Sequence, residues 1–288
     1  MNKISRHLVV IMALFFLTIS AFGQAWQEKN VIVFGAKINY VDVGDPAKPT
    51  VILLHGLGGS IGNWQTTIGP ISQSYHVIAL DQIGFGKSDK PFLKYRVGTY
   101  VDFLDKFMSE LKIDKASLVG NSLGGWIAGL MAIKYPNRVE KIVLADAAGI
   151  VPANYSEADV YQLNNSTRDE IRANMKKIFA TPAFQNNEAL VEQFMTLRVA
   201  TNDGYTINSL IESIKRKEDF LNTRLGDIKK PTLIIWGKQD GLLPVADATT
   251  FNKGIAGSEL VLFDGCGHAP QFEKSADFNK AVLAFLAK

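Results

Sequence analysis

Within Gly120-Asn121-Ser122-Leu123-Gly124 a serine has a glycine two residues to each side. Before it, Ala116–Val119 reads as a short buried strand. After it, Trp126, Ile127, Leu130, Met131 and Lys134 recur at helical spacing between Leu123 and Tyr135. A serine on so sharp a strand-to-helix corner is held in a sparsely populated backbone region, which projects its hydroxyl clear of the chain. Neighbouring segments must then pass very close, and Gly120 and Gly124 allow it because they lack Cβ. G-x-S-x-G in this context presents a nucleophile.

The rest of the chain repeats the strand–loop–helix alternation. Val31–Phe34 and Lys37–Val43 flank Gly35-Ala36 as an opening hairpin. Val51–Leu54, His76–Leu80, Val139–Ala145, Thr232–Trp236 and Glu259–Phe263 follow as strands, the first a continuous apolar run suited to burial on both faces. Thr99–Leu111, residues 245–254 and Ala276–Leu286 carry helical patterns. The alternation predicts an α/β fold, a mostly parallel sheet with helices on both faces. Residues 152–226 break it, with no strand-like run and three helical stretches, marked by Ile171 and Met175, by Val191 and Phe194, and by Ile207 and Leu210. They are expected to form an all-helical insertion, leaving 24–151 and 227–288 as the sheet-bearing core.

Residues 1–23 have the form of a secretory signal peptide. Lys3, Arg6 and His7 precede an apolar run, Leu8–Ile19, and Ala21 and Gly23 stand at the −3 and −1 positions of a cut before Gln24. The run is shorter than the roughly 18–20 residues of a membrane span. The mature chain is therefore expected to be exported, to the periplasm or the medium, without a stable membrane span. Two of the charges behind the net +3, Lys3 and Arg6, belong to this leader, so charge makes no case for nucleic-acid binding. With 47% hydrophobic residues and a single cysteine, Cys266, the fold must rest on its core and not on an intrachain disulfide. Composition leaves the oligomeric state open.

Chemistry-bearing residues cluster just after predicted strands. His55-Gly56-Leu57-Gly58-Gly59-Ser60 forms a tight loop whose amides can turn toward a ligand, with His55 as a brace. Asp81, Gly84 and Gly86 shape a turn. Asp146 ends one strand, Asp240 follows another, and His268 lies beyond the last. Parallel strands deliver their C-terminal ends to one edge, where ligands bind. The order Ser122, Asp240, His268 is that expected with a G-x-S-x-G corner, and Asp146 is the competing acid. Cys266 beside His268 reads as small-residue packing.

Five pieces taken in order, His55-Gly56-Leu57-Gly58, Gly84-Phe85-Gly86-Lys87-Ser88, Gly120-Asn121-Ser122-Leu123-Gly124-Gly125, Trp236-Gly237-Lys238-Gln239-Asp240 and Gly267-His268, resemble the α/β-hydrolase fold serine hydrolases. The resemblance runs from about Val31 to the C-terminus. It implies an eight-stranded sheet, a helical lid at 152–226, a small-molecule acyl substrate, and neither cofactor nor metal. It further implies Ser122 as nucleophile, His268 as base, Asp240 as the acid orienting it, and the backbone N–H groups of Leu57 and Leu123 as oxyanion donors. A carboxylesterase-like reaction on small or medium acyl esters is the first expectation. The elbow is also similar to that of meta-cleavage-product hydrolases, which split carbon–carbon bonds in vinylogous diketones. Those usually carry Trp after the catalytic His, where Ala269 stands here, and a lid Arg, for which Arg198 is the candidate. A non-catalytic ligand-binding member of the fold is the reading from a different class.

Overall fold

The computed structural model describes residues 26–151, 160 and 163–288. The signal peptide expected at 1–23 lies outside the described residues. Strands β1 (Glu28–Val33) and β2 (Ala36–Val43) pair antiparallel around Phe34 and Gly35, at φ 50° and 81°. Positive φ at both central residues is what a tight hairpin of right-twisted strands requires. The chain continues through β3 (Thr50–Leu54), α1 (Gln65–Ser72), β4 (His76–Leu80), α2 (Val97–Glu110), β5 (Ala116–Asn121), α3 (Leu123–Lys134) and β6 (Val139–Ala145). The described residues that follow before the sheet resumes include the helices α4 (Arg168–Ile178), α5 (Pro182–Gln185), α6 (Glu188–Thr201) and α7 (Gly204–Lys215). Then come β7 (Thr232–Gly237), α8 (Val245–Gly254), β8 (Glu259–Phe263), α9 (Pro270–Glu273) and α10 (Ser275–Leu286).

The eight strands form one sheet in the order β1-β2-β4-β3-β5-β6-β7-β8. β2 meets β4 antiparallel, and every pairing from β4 to β8 is parallel. Side chains alternate across a strand, so consecutive apolar residues feed opposite layers. Ile52 and Leu54 join the core under α2, α3 and α8, with Leu104, Phe107 and Phe251. Val51 and Leu53 join the other, under α1 and α10, with Ile68, Ile71, Phe278 and Val282. Burial on both faces explains why these strands read as unbroken apolar runs.

Helix α1 forms against its own sequence, which includes Gly69 and Pro70. Interior Pro and Gly cost roughly 3 and 1 kcal/mol. Fully burying Trp64 just before it, with Ile68 and Ile71, contributes about 1.5–3 kcal/mol each, so packing decides. α4 starts where Thr167 and Glu170 make a capping box. Ile171, Met175, Phe179 and Val191 give the inserted helices a small core of their own, which also takes in Ala269. Among the described residues no helix is long and apolar enough to cross a membrane.

Candidate active site

The corner after β5 is strained as its sequence demands. Ser122 sits at φ 56°, ψ −118°, as the residue preceding α3. A Cβ on Gly120 would lie 2.2 Å from the carbonyl oxygen of Gly124, and one on Gly124 would lie 2.0 Å from that of Leu54. Real Cβ atoms do not approach so closely, so both glycines are required. The corner is fixed by the Ser122 N–H donating to Ala145 at 3.0 Å, and by the Ala148 N–H donating to the Ser122 carbonyl at 3.0 Å.

The residues expected as base and acid, His268 and Asp240, come from the loops after β8 and β7. His268 Nδ1 and Asp240 Oδ2 lie 2.7 Å apart. Asp240 Oδ1 accepts from the N–H groups of Leu242 and Leu243 at 2.8 and 3.0 Å. The Asp240 side chain is fully buried and that of His268 nearly so. Three hydrogen bonds fix the Asp240 carboxyl, and its contact with Nδ1 leaves Nε2 of His268 on the opposite side of the ring. Ser122 and His268 are brought to the same edge by Asn121, whose Nδ2 donates to Ala145 at 3.2 Å and to the His268 carbonyl at 3.1 Å. Gln271 Nε2 donates in turn to Asn121 Oδ1 at 3.2 Å.

The loop after β3 lies against the same corner. A Cβ on Gly56 would stand 3.2 Å from that of Ser122. Leu57 follows Gly56 in this loop, and Leu123 opens α3, where the first N–H groups of a helix have no intrahelical partner. His55 is a brace: Nδ1 reaches the Gly56 carbonyl at 2.7 Å, and Nε2 accepts the Gln82 N–H at 3.0 Å. Burial lowers its pKa, so the ring is neutral. Asp81 ties loops together, accepting from Ile61 N–H, Lys87 N–H and Asn39 Nδ2 at 2.7, 2.8 and 2.9 Å.

The competing acid, Asp146, does not hold the ring. Its Oδ1 accepts the Gly237 N–H at 2.9 Å. Burial, then the charge of Asp240, pushes its pKa well above the carboxylate range. Asp146, Asp240 and His268 make a donor set of metal-ligand type, but the facing atoms of the last two are joined by their own hydrogen bond. Cys266 is buried and burial pushes its thiol up, away from the reactive thiolate.

Residues that motifs did not single out join this edge to the inserted helices. The His268 N–H donates to the Ile178 carbonyl at 2.6 Å, and the Gly241 N–H to the Lys177 carbonyl at 3.0 Å. Glu273 accepts from Gly267 N–H with one oxygen at 2.8 Å. Its other oxygen accepts from the N–H groups of Ala180 and Thr181 at 2.9 and 2.8 Å. Arg198 on α6 is held by Asp203, by Asn164 Oδ1 at 2.5 Å and by the Asn165 carbonyl at 3.1 Å. Asp203 packs beside Gly58 of the β3 loop.

Comparison with known proteins gives a consistent picture. The sequence profile described as alpha/beta hydrolase fold matches residues 49–275. The chain is 35% identical over 265 residues to the 2-hydroxy-6-oxononadienedioate/2-hydroxy-6-oxononatrienedioate hydrolase of Klebsiella pneumoniae subsp. pneumoniae, covering 88% of this chain and 91% of the relative. Among solved structures it is similar to a meta-cleavage product hydrolase mutant, with TM-score 0.82 and 28% identity over 90% of this chain and 97% of the other. It is also similar to a membrane phospholipase A described as a bacterial virulence factor, with TM-score 0.80 and 27% identity over 99% of this chain and 98% of the other.

Proposed function

The chain belongs to the α/β-hydrolase fold family and is a hydrolase, and from that premise we propose that it cleaves small or medium acyl esters through an acyl-enzyme on Ser122. The observation that carries this is the 2.7 Å contact of His268 Nδ1 with a buried Asp240, at the edge where Ser122 is held at φ 56°. Ser122 Oγ attacks the acyl carbon while His268 Nε2 takes its proton. Asp240 stabilises the imidazolium. The N–H groups of Leu57 and Leu123 stabilise the tetrahedral oxyanion, where losing one donor typically costs about 10²–10³ in turnover. His268 returns the proton to the departing alcohol, and water repeats the sequence to release the acid.

A second reading is carbon–carbon bond hydrolysis, and the names of the relatives favour it. The Klebsiella relative acts, by its name, on a dioate, a substrate with two carboxylates. Such a substrate calls for cationic donors in the pocket. In this chain Arg198 is already engaged by Asp203, and Ala269, next to His268, is drawn into the small apolar core of the inserted helices. These two features support ester cleavage, while the names of the relatives support carbon–carbon hydrolysis. Turnover of p-nitrophenyl butyrate and octanoate, beside a 2-hydroxy-6-oxo-dienoate, decides between the two. Rapid ester turnover with no dienoate cleavage supports the first reading, and the reverse supports the second. We also propose that residues 1–23 direct export, on the strength of Lys3, Arg6, the Leu8–Ile19 run and the Ala21–Gly23 site.

A further inference from the structure

Among the buried ionisable groups at the site, Asp146 is one that the reaction leaves without a task. Asp146, at the end of β6, is fully buried. Its Oδ1 has the Gly237 N–H at 2.9 Å, whereas Oδ2 has no hydrogen-bond donor among the described residues. Ligand-capable atoms of Asp146, Asp240 and His268 nevertheless lie within 4.8 Å of one another. Two carboxylates this close in a dry interior do not both ionise. Asp240 has three donors, the N–H groups of Leu242 and Leu243 and His268 Nδ1, against one for Asp146. The anion therefore sits on Asp240 and the proton on Asp146. Oδ2, the oxygen that nothing donates to, is where that proton belongs, and the neighbouring carboxylate is its acceptor.

We propose that Asp146 is a neutral carboxylic acid that donates its O–H to the Asp240 carboxylate, tempering the negative charge that His268 faces. It acts through Asp240 and is a positioning residue. Burial first, and then the charges of Asp240 and Glu273, oppose its ionisation. The other titratable groups turned toward this cluster are Cys266, whose thiol burial keeps protonated, Asp247 on α8, and Lys274. The proposal rests on the triad reading, but its test needs no turnover.

The test is the NMR titration of the His268 ring in wild type, Asp146→Asn and Asp146→Leu. Asn keeps both a donor for Asp240 and an acceptor for Gly237 and changes no charge, so the midpoint should stay within about 0.3 pH unit of wild type. Leu removes the donor, leaves Asp240 more basic and strengthens its hold on the imidazolium, so the midpoint should rise by about half a unit or more. A shift in either direction in the Asn variant overturns the proposal, a fall meaning that Asp146 had been an anion. An unchanged midpoint in a folded Leu variant also overturns it. If the Leu variant does not fold, the Asn variant still decides the sign. Failure of the ester reading would appear separately, as absent turnover in wild type.

Discussion

The backbone N–H of His268 donates to the carbonyl of Ile178, the last residue of α4, at 2.6 Å. The end of an inserted helix and the loop carrying His268 are thus one hydrogen-bonded unit. A helix leaves its last four carbonyls without intrahelical partners, and here the loops carrying Asp240 and His268 satisfy two of them.

Glu273 makes the same joint from the other side, through Gly267, Ala180 and Thr181. Glu273→Gln keeps the shape but replaces one accepting oxygen by a donor facing other donors. The expected cost is about 1–3 kcal/mol of stability, read as a lower urea midpoint. Ester turnover should fall with it, since His268 lies one residue beyond Gly267.

Arg198 and Asp203 form an ion pair within the inserted helices. The Asp203 side chain is 1% exposed, so Arg198→Ala leaves a buried carboxylate unpaired, at an expected cost of about 3–5 kcal/mol. The double variant Arg198→Ala/Asp203→Ala should recover much of that loss. Urea unfolding of wild type, both single variants and the double variant measures the coupling. A double variant still active on p-nitrophenyl butyrate is expected if Arg198 serves the scaffold, and an inactive but fully folded one if it serves the substrate.

Asp247 supplies a pH signature. Burial, and then the charge of Asp240, raises its pKa from 3.8 to about 6. A carboxyl with a raised folded-state pKa favours the native state at low pH, and that contribution is lost as pH climbs through about 6. Asp247→Asn should therefore melt at a higher temperature than wild type at pH 7.5 and at the same temperature near pH 4. A thermal scan at both pH values measures this.

Glycine chemistry gives a matched pair. A Cβ on Gly124 would meet the Leu54 carbonyl at 2.0 Å, whereas one on Gly226 would meet nothing within 4 Å. Gly124→Ala should lose more than about 3 kcal/mol or fail to fold, and Gly226→Ala should stay within about 0.5 kcal/mol of wild type. Equal midpoints in urea would contradict the close-approach account of the elbow.

Much of the fold was legible because buried parallel strands read as apolar runs, and their ends carry the site residues. The placement of Ser122, Asp240 and His268 at one sheet edge is readable for that reason, as are the three longer inserted helices. Helix α1 was not, since Gly69 and Pro70 speak against it and only tertiary burial of Ile68 and Ile71 overrides them. The short helices α5 and α9 give too few residues for a period to emerge. Gln271, Glu273 and the bracing role of Asn121 are not legible for another reason: the partners that matter lie far off in sequence, and no local pattern marks a hydrogen bond from residue 121 to residue 268.

The proposed function requires Ser122 to be a nucleophile activated by His268. Its most direct test is the intact mass of residues 24–288 after treatment with a fluorophosphonate, for wild type, Ser122→Ala and His268→Ala. The expected result is a single adduct on the Ser122 peptide in wild type, none in Ser122→Ala, and a labelling rate in His268→Ala lower by about 10²-fold or more. An unlabelled wild type, or an adduct that persists in Ser122→Ala, would contradict the account.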